Sequence, residues 1–337
     1  MPSLSQIRQA NELLEDSHSE IVAAFVGGTS GVGEEAAKRL ASCVRKPEIF
    51  IVGRNEESAA RVLAELRNAN PQGSYQFVKV DISLLRNVDR ACEAIRHKTQ
   101  TLDLLFISAG SALVAREDTE EGLEKNLVER YYARMRFTQS LLPLLQASNK
   151  SPRVVSVLLG GFEIELETDN LDLTKPRTAI YSTRHAATMT SLSMEHLATV
   201  YRSISFVHIY PGMVKTPLLD KGLGRFLARI AWILYWPFSI TLEQSGQYNV
   251  YMATSAAYPP LSPENQQGAG ASLAEGGEIC IGSTGKVGAG SYILNYDGAN
   301  RTNVKLMEGY RVRDYAQHIW THTLSTFQTV TGSAEPA

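Results

Sequence analysis

Three cysteines (Cys43, Cys92 and Cys280) in 337 residues, widely spaced, are too few and too scattered for a disulfide framework or a metal-ligand cluster. They suit reduced thiols inside a cell. No His-Glu-x-x-His pattern occurs, which removes the commonest helical zinc site. Charge of one sign is also missing. A net charge of −2 gives no reason to invoke nucleic acid. Residues Met1 to Glu20 are polar and charged with no apolar h-region, so no secretory signal is visible and a cytoplasmic protein is expected. The uncharged run Ile230 to Ile240 is too short to cross a bilayer and is interrupted by Pro237. No internal repeat is present. What is plentiful is apolar residue: 44% hydrophobic content supports one large core rather than two small ones.

The most informative stretch is Val-Gly-Gly-Thr-Ser-Gly-Val-Gly at Val26 to Gly33. The apolar run Ile21 to Val26 leads into it and a helical pattern from Glu34 to Leu40 leaves it. A strand feeding a glycine-rich turn that opens a helix is a way of holding a nucleotide pyrophosphate, through close backbone approach and unpaired helix N–H groups. Strand and helix then alternate. Strands are expected at Glu48 to Val52, Tyr75 to Val80, Leu102 to Ile107, Arg153 to Leu158, Ser203 to Ile209 and near Tyr292 to Leu294. Helices are expected at Glu56 to Asn68, Arg86 to His97, Glu121 to Gln146, Ala179 to Tyr201 and Val304 to Phe327, with a short helix or arm over Ile7 to Ser17. Such alternation with short connections is the doubly wound, parallel-sheet α/β pattern. The divisions expected are an arm (1–20), one domain (21–327) and a tail (328–337). Ala257 to Gly290, rich in Gly, Ser and Pro, reads as a long mobile loop.

Gly27, Gly31 and Gly33 have the Gly-x-x-x-Gly-x-Gly spacing of short-chain dehydrogenases/reductases, and the sequence resembles that superfamily in order from Ile21 to about Leu218. Tyr131 to Gln139 and His185 to Thr190 are similar to a divergent fungal branch associated with secondary metabolism. The resemblance implies a Rossmann-type fold and a nicotinamide cofactor held by Gly27, Thr29, Ser30, Gly31, Val32 and Gly33. It also implies roles for Asp81 and Ile82 beside the adenine and for Ala109 and Gly110 over the cofactor. Pro211, Gly212, Val214 and Thr216 would then embrace the nicotinamide amide. Arg54 stands where NAD-preferring proteins carry an acidic residue, which favours NADP(H) through a 2′-phosphate. The plainer alternatives are a solvated Arg54 opening the next helix and an Asp81 that caps the helix after it.

The family's chemistry uses a Tyr, a Lys one helical turn later and a Ser at the end of the preceding strand. Tyr181 is present, but His185 stands four residues on and Leu158-Leu159 occupy the Ser place. Ser156 lies on the same strand but too early, and Lys215 belongs to the other cofactor loop. The helix position of the family's relay asparagine holds Arg130, with Asn126 a turn away. Three readings stay open. Tyr181 is the acid with His185 its partner; or His185, alone or with Tyr181, does acid–base work without hydride transfer; or both residues only bond within a helix. Glu163, Glu165, Glu167, Asp169 and Asp172 read as a solvated face, and His196 and His208 belong to no constellation.

The leading function is therefore an NADP(H)-dependent oxidoreductase for an apolar small molecule; the runner-up is a non-redox isomerase, cyclase or dehydratase, and a nucleotide-sensing binding protein is the third class. The apolar segment 218–241 is expected to be a substrate lid, or else a face touching a membrane or partner. Homodimer pairing through the two long helices follows by analogy only.

Overall fold

The structure, a computed structural model, describes residues 2–14, 19–110, 116–214, 239–262, 271–273 and 276–334. Its centre is a seven-stranded, wholly parallel sheet. In chain order the strands are β1 (Glu20–Val26), β2 (Lys46–Gly53), β3 (Ser74–Lys79), β4 (Leu104–Ile107), β5 (Arg153–Val157) and β6 (Ser205–Ile209). Then come the short β7 (Met213–Val214) and β8 (Ser239–Ile240), which pair only with each other, and last β9 (Ser291–Leu294). The spatial order β3-β2-β1-β4-β5-β6-β9 reverses direction beside β1. That reversal opens the crevice between the carboxyl ends of β1 and β4.

The helices are α1 (Leu4–Glu12), α2 (Gly31–Cys43), α3 (Glu56–Ala69), α4 (Leu85–Arg96), α5 (Ala133–Gln146), α6 (Ala179–Val200), α7 (Leu242–Thr254), α8 (Val304–Arg311) and α9 (Tyr315–Thr331). Side chains alternate across each strand, and the two sets enter two different cores. Ala24, Val26, Leu105, Ile107, Val154 and Phe206 face the layer holding α4, α5, α6 and α9. Ala23, Phe25, Leu104, Phe106, Val155 and Val207 face the layer holding α1, α2 and α7. A sheet buried on both faces needs continuous apolar strands, which is why these segments read as unbroken hydrophobic runs.

Several boundaries differ from the sequence reading, each for a local reason. The long helix expected from Glu121 begins at a turn, Lys125–Leu127, passes through a π-helical segment, Val128–Tyr132, and only then becomes α5. Glu121 is instead spent outside it: its carboxylate accepts from Leu85 N (2.6 Å) and Arg86 N (3.0 Å) and so caps α4. Asp81, proposed for that cap, accepts from Ser83 N at 3.0 Å in a turn before the helix. The last helix is two, because Asp314 adopts φ +52° and breaks the run between α8 and α9; Asp tolerates the left-handed region through local hydrogen bonding. The first helix runs Leu4–Glu12, and positions 15–17 of the expected Ile7–Ser17 segment lie outside the described residues.

The stretch 257–290, expected as a mobile loop, is buried at both ends, while Ile279, Ile281 and Val287 between them are exposed. Arg153, fully buried, donates to the carbonyls of Met252, Ser255 and Tyr258 at 2.7, 3.0 and 2.9 Å. Tyr258 and Ser283 are buried with it. Finally, α9 lies over the two long helices: Tyr131 bonds Thr323, His196 stacks on Trp320, and Arg136 sits over the Phe327 ring at 5.1 Å. Part of the surface of both long helices is thus covered within the chain. The lid residues 218–238 lie outside the described residues, but Met213–Val214 and Ser239–Ile240 on either side of 215–238 are paired. Among the described residues no helix is long and apolar enough to cross a membrane, and no group of side chains could hold a metal.

Candidate active site

The glycine turn sits at the crevice mouth, and its fit is between backbones. Gly27 has φ +92°, its N–H donates to Val52 O at 2.9 Å, and a Cβ on it would lie 2.5 Å from Ala109 N. Ala109 N and Ser108 N both donate to Val26 O, at 3.0 and 2.8 Å. A Cβ on Gly33 would lie 2.7 Å from Gly27 O and 2.3 Å from Ser108 Oγ. The ends of β1, β2 and β4 therefore close to a distance that only glycine permits. Ser30 is the N-cap of α2 but its side chain makes no capping bond, so the first-turn amides of Gly31, Val32 and Gly33 take no acceptor from it. This is an anion cradle of the kind a pyrophosphate needs. Thr29 lies against Gly53, 3.0 Å from where a Cβ would stand there. Arg54 is exposed at the end of β2, and Asn55 next to it is committed to capping α3 through Ser58 N at 2.8 Å.

The other cofactor candidates surround the same crevice. Ile82 packs on the core, Asp81 is exposed, and Gly110 is exposed with open space around it. Pro211 and Gly212 follow β6, Gly212 with φ +72° beside Tyr296, and Val214 is buried in β7. Thr216 and Lys215 lie outside the described residues.

The catalytic candidates sit in the first two turns of α6, which Thr178 caps through Tyr181 N. The rings of Tyr181 and His185 are 5.9 Å apart, with no hydrogen bond between them. His185 is fully buried; its Nε2 is 3.0 Å from Leu171 O, which fixes that nitrogen as the N–H donor. Burial holds its pKa down to about 4, so the ring is neutral at pH 7. Burial, with the Glu167 charge adding to it, pushes the Tyr181 phenol above its ordinary value. Tyr181 Oη and His185 Nδ1 both lack a partner among the described residues.

Arg130, at the relay position, donates to Asn126 Oδ1 at 3.0 Å. Asn126 in turn donates to Glu124, which also accepts from Ser182 Oγ at 3.1 Å on α6.

Two buried features escaped the sequence reading. Arg134, 2% exposed, donates to Ile107 O (3.1 Å), Ala109 O (2.6 Å), Ser156 Oγ (2.8 Å) and Val157 O (3.0 Å). One guanidinium thus ties the ends of β4 and β5 together, and burial, then the neighbouring Arg130 charge, lowers its pKa to about 9. The signal was a charged residue inside a helix that is buried on nearly all sides.

The second feature corrects two expectations. Glu163 is buried rather than solvated, and His208 has a constellation after all. Ser191 Oγ lies 2.7 Å from both Glu163 Oε1 and His208 Nδ1, and Glu163 Oε1 also accepts from Gly161 N at 3.1 Å. Burial pushes the Glu163 pKa up and drops that of His208 to about 3, so a carboxyl group, a hydroxyl and a neutral imidazole share the site. Serine stands in the middle, which is not the order of a nucleophilic triad.

Comparison with known proteins agrees with this geometry. The sequence pattern of the short chain dehydrogenase family matches residues 21–223. An oxidoreductase of Emericella nidulans is 40% identical over 330 residues, covering 96% of this chain and 98% of that protein. A short-chain dehydrogenase/reductase of Stachybotrys chartarum is 31% identical, covering 98% of each. Among solved structures, the L-sorbose reductase of Gluconobacter frateurii, complexed with NADPH and L-sorbose, is similar with a TM-score of 0.55 at 18% identity, over 77% of this chain and 95% of that one. The last likeness speaks to the fold alone. Family pattern and full-length relatives together make this chain a member of the short-chain dehydrogenase/reductase superfamily, and an oxidoreductase in the broad sense that membership carries.

Proposed function

We propose that the protein is an NADP(H)-dependent oxidoreductase that interconverts a ketone and an alcohol on a largely apolar small molecule of fungal secondary metabolism. The observation that carries this reading is the closed backbone cradle of Gly27, Gly33 and Ala109 with Arg54, and no carboxylate, at the adjoining strand end. A guanidinium there suits a 2′-phosphate through paired donors. The apolar substrate rests on the composition of Leu218 to Thr241, and the metabolic setting on the fungal relatives.

A bound nicotinamide supplies or accepts the hydride. Tyr181 handles the proton. Its raised pKa keeps the phenol protonated at neutral pH, which suits donation to a nascent alkoxide, the reductive direction. His185 cannot lend the positive charge that the family's Lys does, since it stays neutral. Its accepting Nδ1 is left to orient Tyr181 or a substrate hydroxyl. With Leu159 at the Ser place, stabilisation of the substrate oxygen is weaker and turnover is slow.

The neutral His185 also favours a second reading, acid–base chemistry without hydride transfer. The test is NADPH consumption with lipophilic ketones, wild type against Tyr181→Phe. Loss of turnover on the order of 10²-fold or more with unchanged NADPH binding is expected. Product formation while NADPH absorbance stays constant would replace the redox reading with the second one.

A further inference from the structure

The carboxyl ends of β5, β6 and β9 converge on a side chain to which the reading above gives no task. Arg301 leaves the end of β9, its N–H bonded to Ile293 O at 2.9 Å. Its guanidinium carbon lies 4.1 Å from the centroid of the Phe162 ring and 4.6 Å from that of Tyr210. The two rings meet edge to face at 4.9 Å, one following β5 and the other immediately preceding Pro211-Gly212. Gly161, at φ +86°, makes the arrangement possible: a Cβ there would lie 2.2 Å from Arg301 Cγ.

The electrostatics of this clamp differ from those of several other arginines, although Arg313 is similarly placed over Tyr310 and Tyr315. Arg136 pairs with Asp89, Arg177 with Glu167 and Arg311 with Glu195. Arg134 and Arg153 are fully buried and spend their donors on protein oxygens. Arg301 is only partly buried, and its guanidinium gives one hydrogen bond, from Nη1 to Asn295 Oδ1 at 3.1 Å. Among the described residues no carboxylate lies within ion-pair distance of it. Glu163 is nearby but forms no ion pair with it: Oε1 accepts from Gly161 N and Ser191, and burial raises its pKa while the Arg301 charge acts in the opposite sense. Aromatic faces attract and orient a cation without neutralising it. A guanidinium held flat in this way keeps donors in the fork geometry that fits a carboxylate.

We propose that Arg301 recognises a carboxylate on the organic substrate, making the preferred substrate an apolar keto or hydroxy acid. This rests on the ketone–alcohol oxidoreductase proposed above. The test uses the full chain and two unreactive probes, 4-phenylbutanoate and 4-phenylbutanamide, titrated calorimetrically with and without NADP⁺. The carboxylate is expected to bind at least tenfold more tightly than the amide. Arg301→Gln should erase that preference and Arg301→Lys should retain part of it. Asn295→Asp, which keeps the ring clamp but sets a carboxylate against the guanidinium, should erase it too. No preference between the probes, including no binding of either, overturns the proposal, as does a preference that survives Arg301→Gln; Arg301 would then only clasp β9 to the loop after β5. NADPH consumption with 4-oxo-4-phenylbutanoate and its methyl ester separates the two readings. Selective probe binding without any NADPH consumption would end the redox reading and leave the Arg301 site standing.

Discussion

Around the ends of β1, β2 and β4 the close contacts join main-chain atoms; around the ends of β5, β6 and β9 they join side chains. In the first region Gly27 touches Ala109 N, Gly33 touches Gly27 O, and Val26 O receives two amides. In the second, Ser191 links Glu163 to His208, and Phe162 and Tyr210 enclose Arg301. A backbone cradle tolerates almost no substitution, because no other residue fits its space or its dihedrals. A side-chain network can be rewritten if each buried polar group still finds a partner. The glycine spacing expected of the family's cofactor turn is accordingly kept here, while the positions expected to hold its Ser and Lys read Leu158-Leu159 and His185.

The sharpest way to break this contrast is Gly27→Ala. A Cβ 2.5 Å from Ala109 N, on a residue at φ +92°, cannot be relieved by moving a flexible side chain. NADPH affinity should fall at least on the order of a hundredfold, read by fluorescence titration, with circular dichroism reporting whether the fold survives. Near-normal binding would mean the cradle is not the cofactor site.

Arg134 joins the two regions, since it bonds Ile107 O and Ala109 O on one side and Ser156 and Val157 O on the other. Arg134→Met leaves those buried acceptors short of a donor. A loss of roughly 3 kcal/mol or more in urea unfolding is expected. A neutral result would show that the two regions are held by packing alone.

Acid should act mainly on the second region. His185 and His208 titrate near 6.5 when unfolded, but burial holds them to about 4 and about 3 when folded. Between those values the unfolded chain binds protons that the folded chain refuses, so stability falls as pH drops below 6.5. The His185 share is complete near 4 and the His208 share near 3. Glu163, pushed up by burial, works in the opposite sense and offsets part of the loss. Unfolding curves from pH 7 downward should show a net decrease in stability, smaller in His208→Asn. A flat profile would mean that these rings are not buried as neutral groups.

Legibility in the sequence follows the same division. The strands were readable because residues such as Phe25 and Val26 are apolar toward both layers, and the glycine turn because its spacing is a backbone requirement. Glu163, Ser191 and His208 come from three distant segments, and nothing local marks a glutamate in an acidic run as the buried one. The π-helical Val128–Tyr132 segment and the break at Asp314 were hidden because an apolar stripe continues across both. The start of the Gly-rich stretch read as loose from its composition, because the Arg153 bond that holds Tyr258 O comes from a distant strand that no local pattern reports.

The most direct measurement is a fluorescence titration of the purified protein with NADPH and, in parallel, NADH. Tight NADPH binding, NADH binding weaker by on the order of tenfold, and loss of that difference in Arg54→Ala are expected. Binding of neither nucleotide would contradict the cradle as a working cofactor site. Equal binding of both, unchanged in Arg54→Ala, would contradict Arg54 as the phosphate contact.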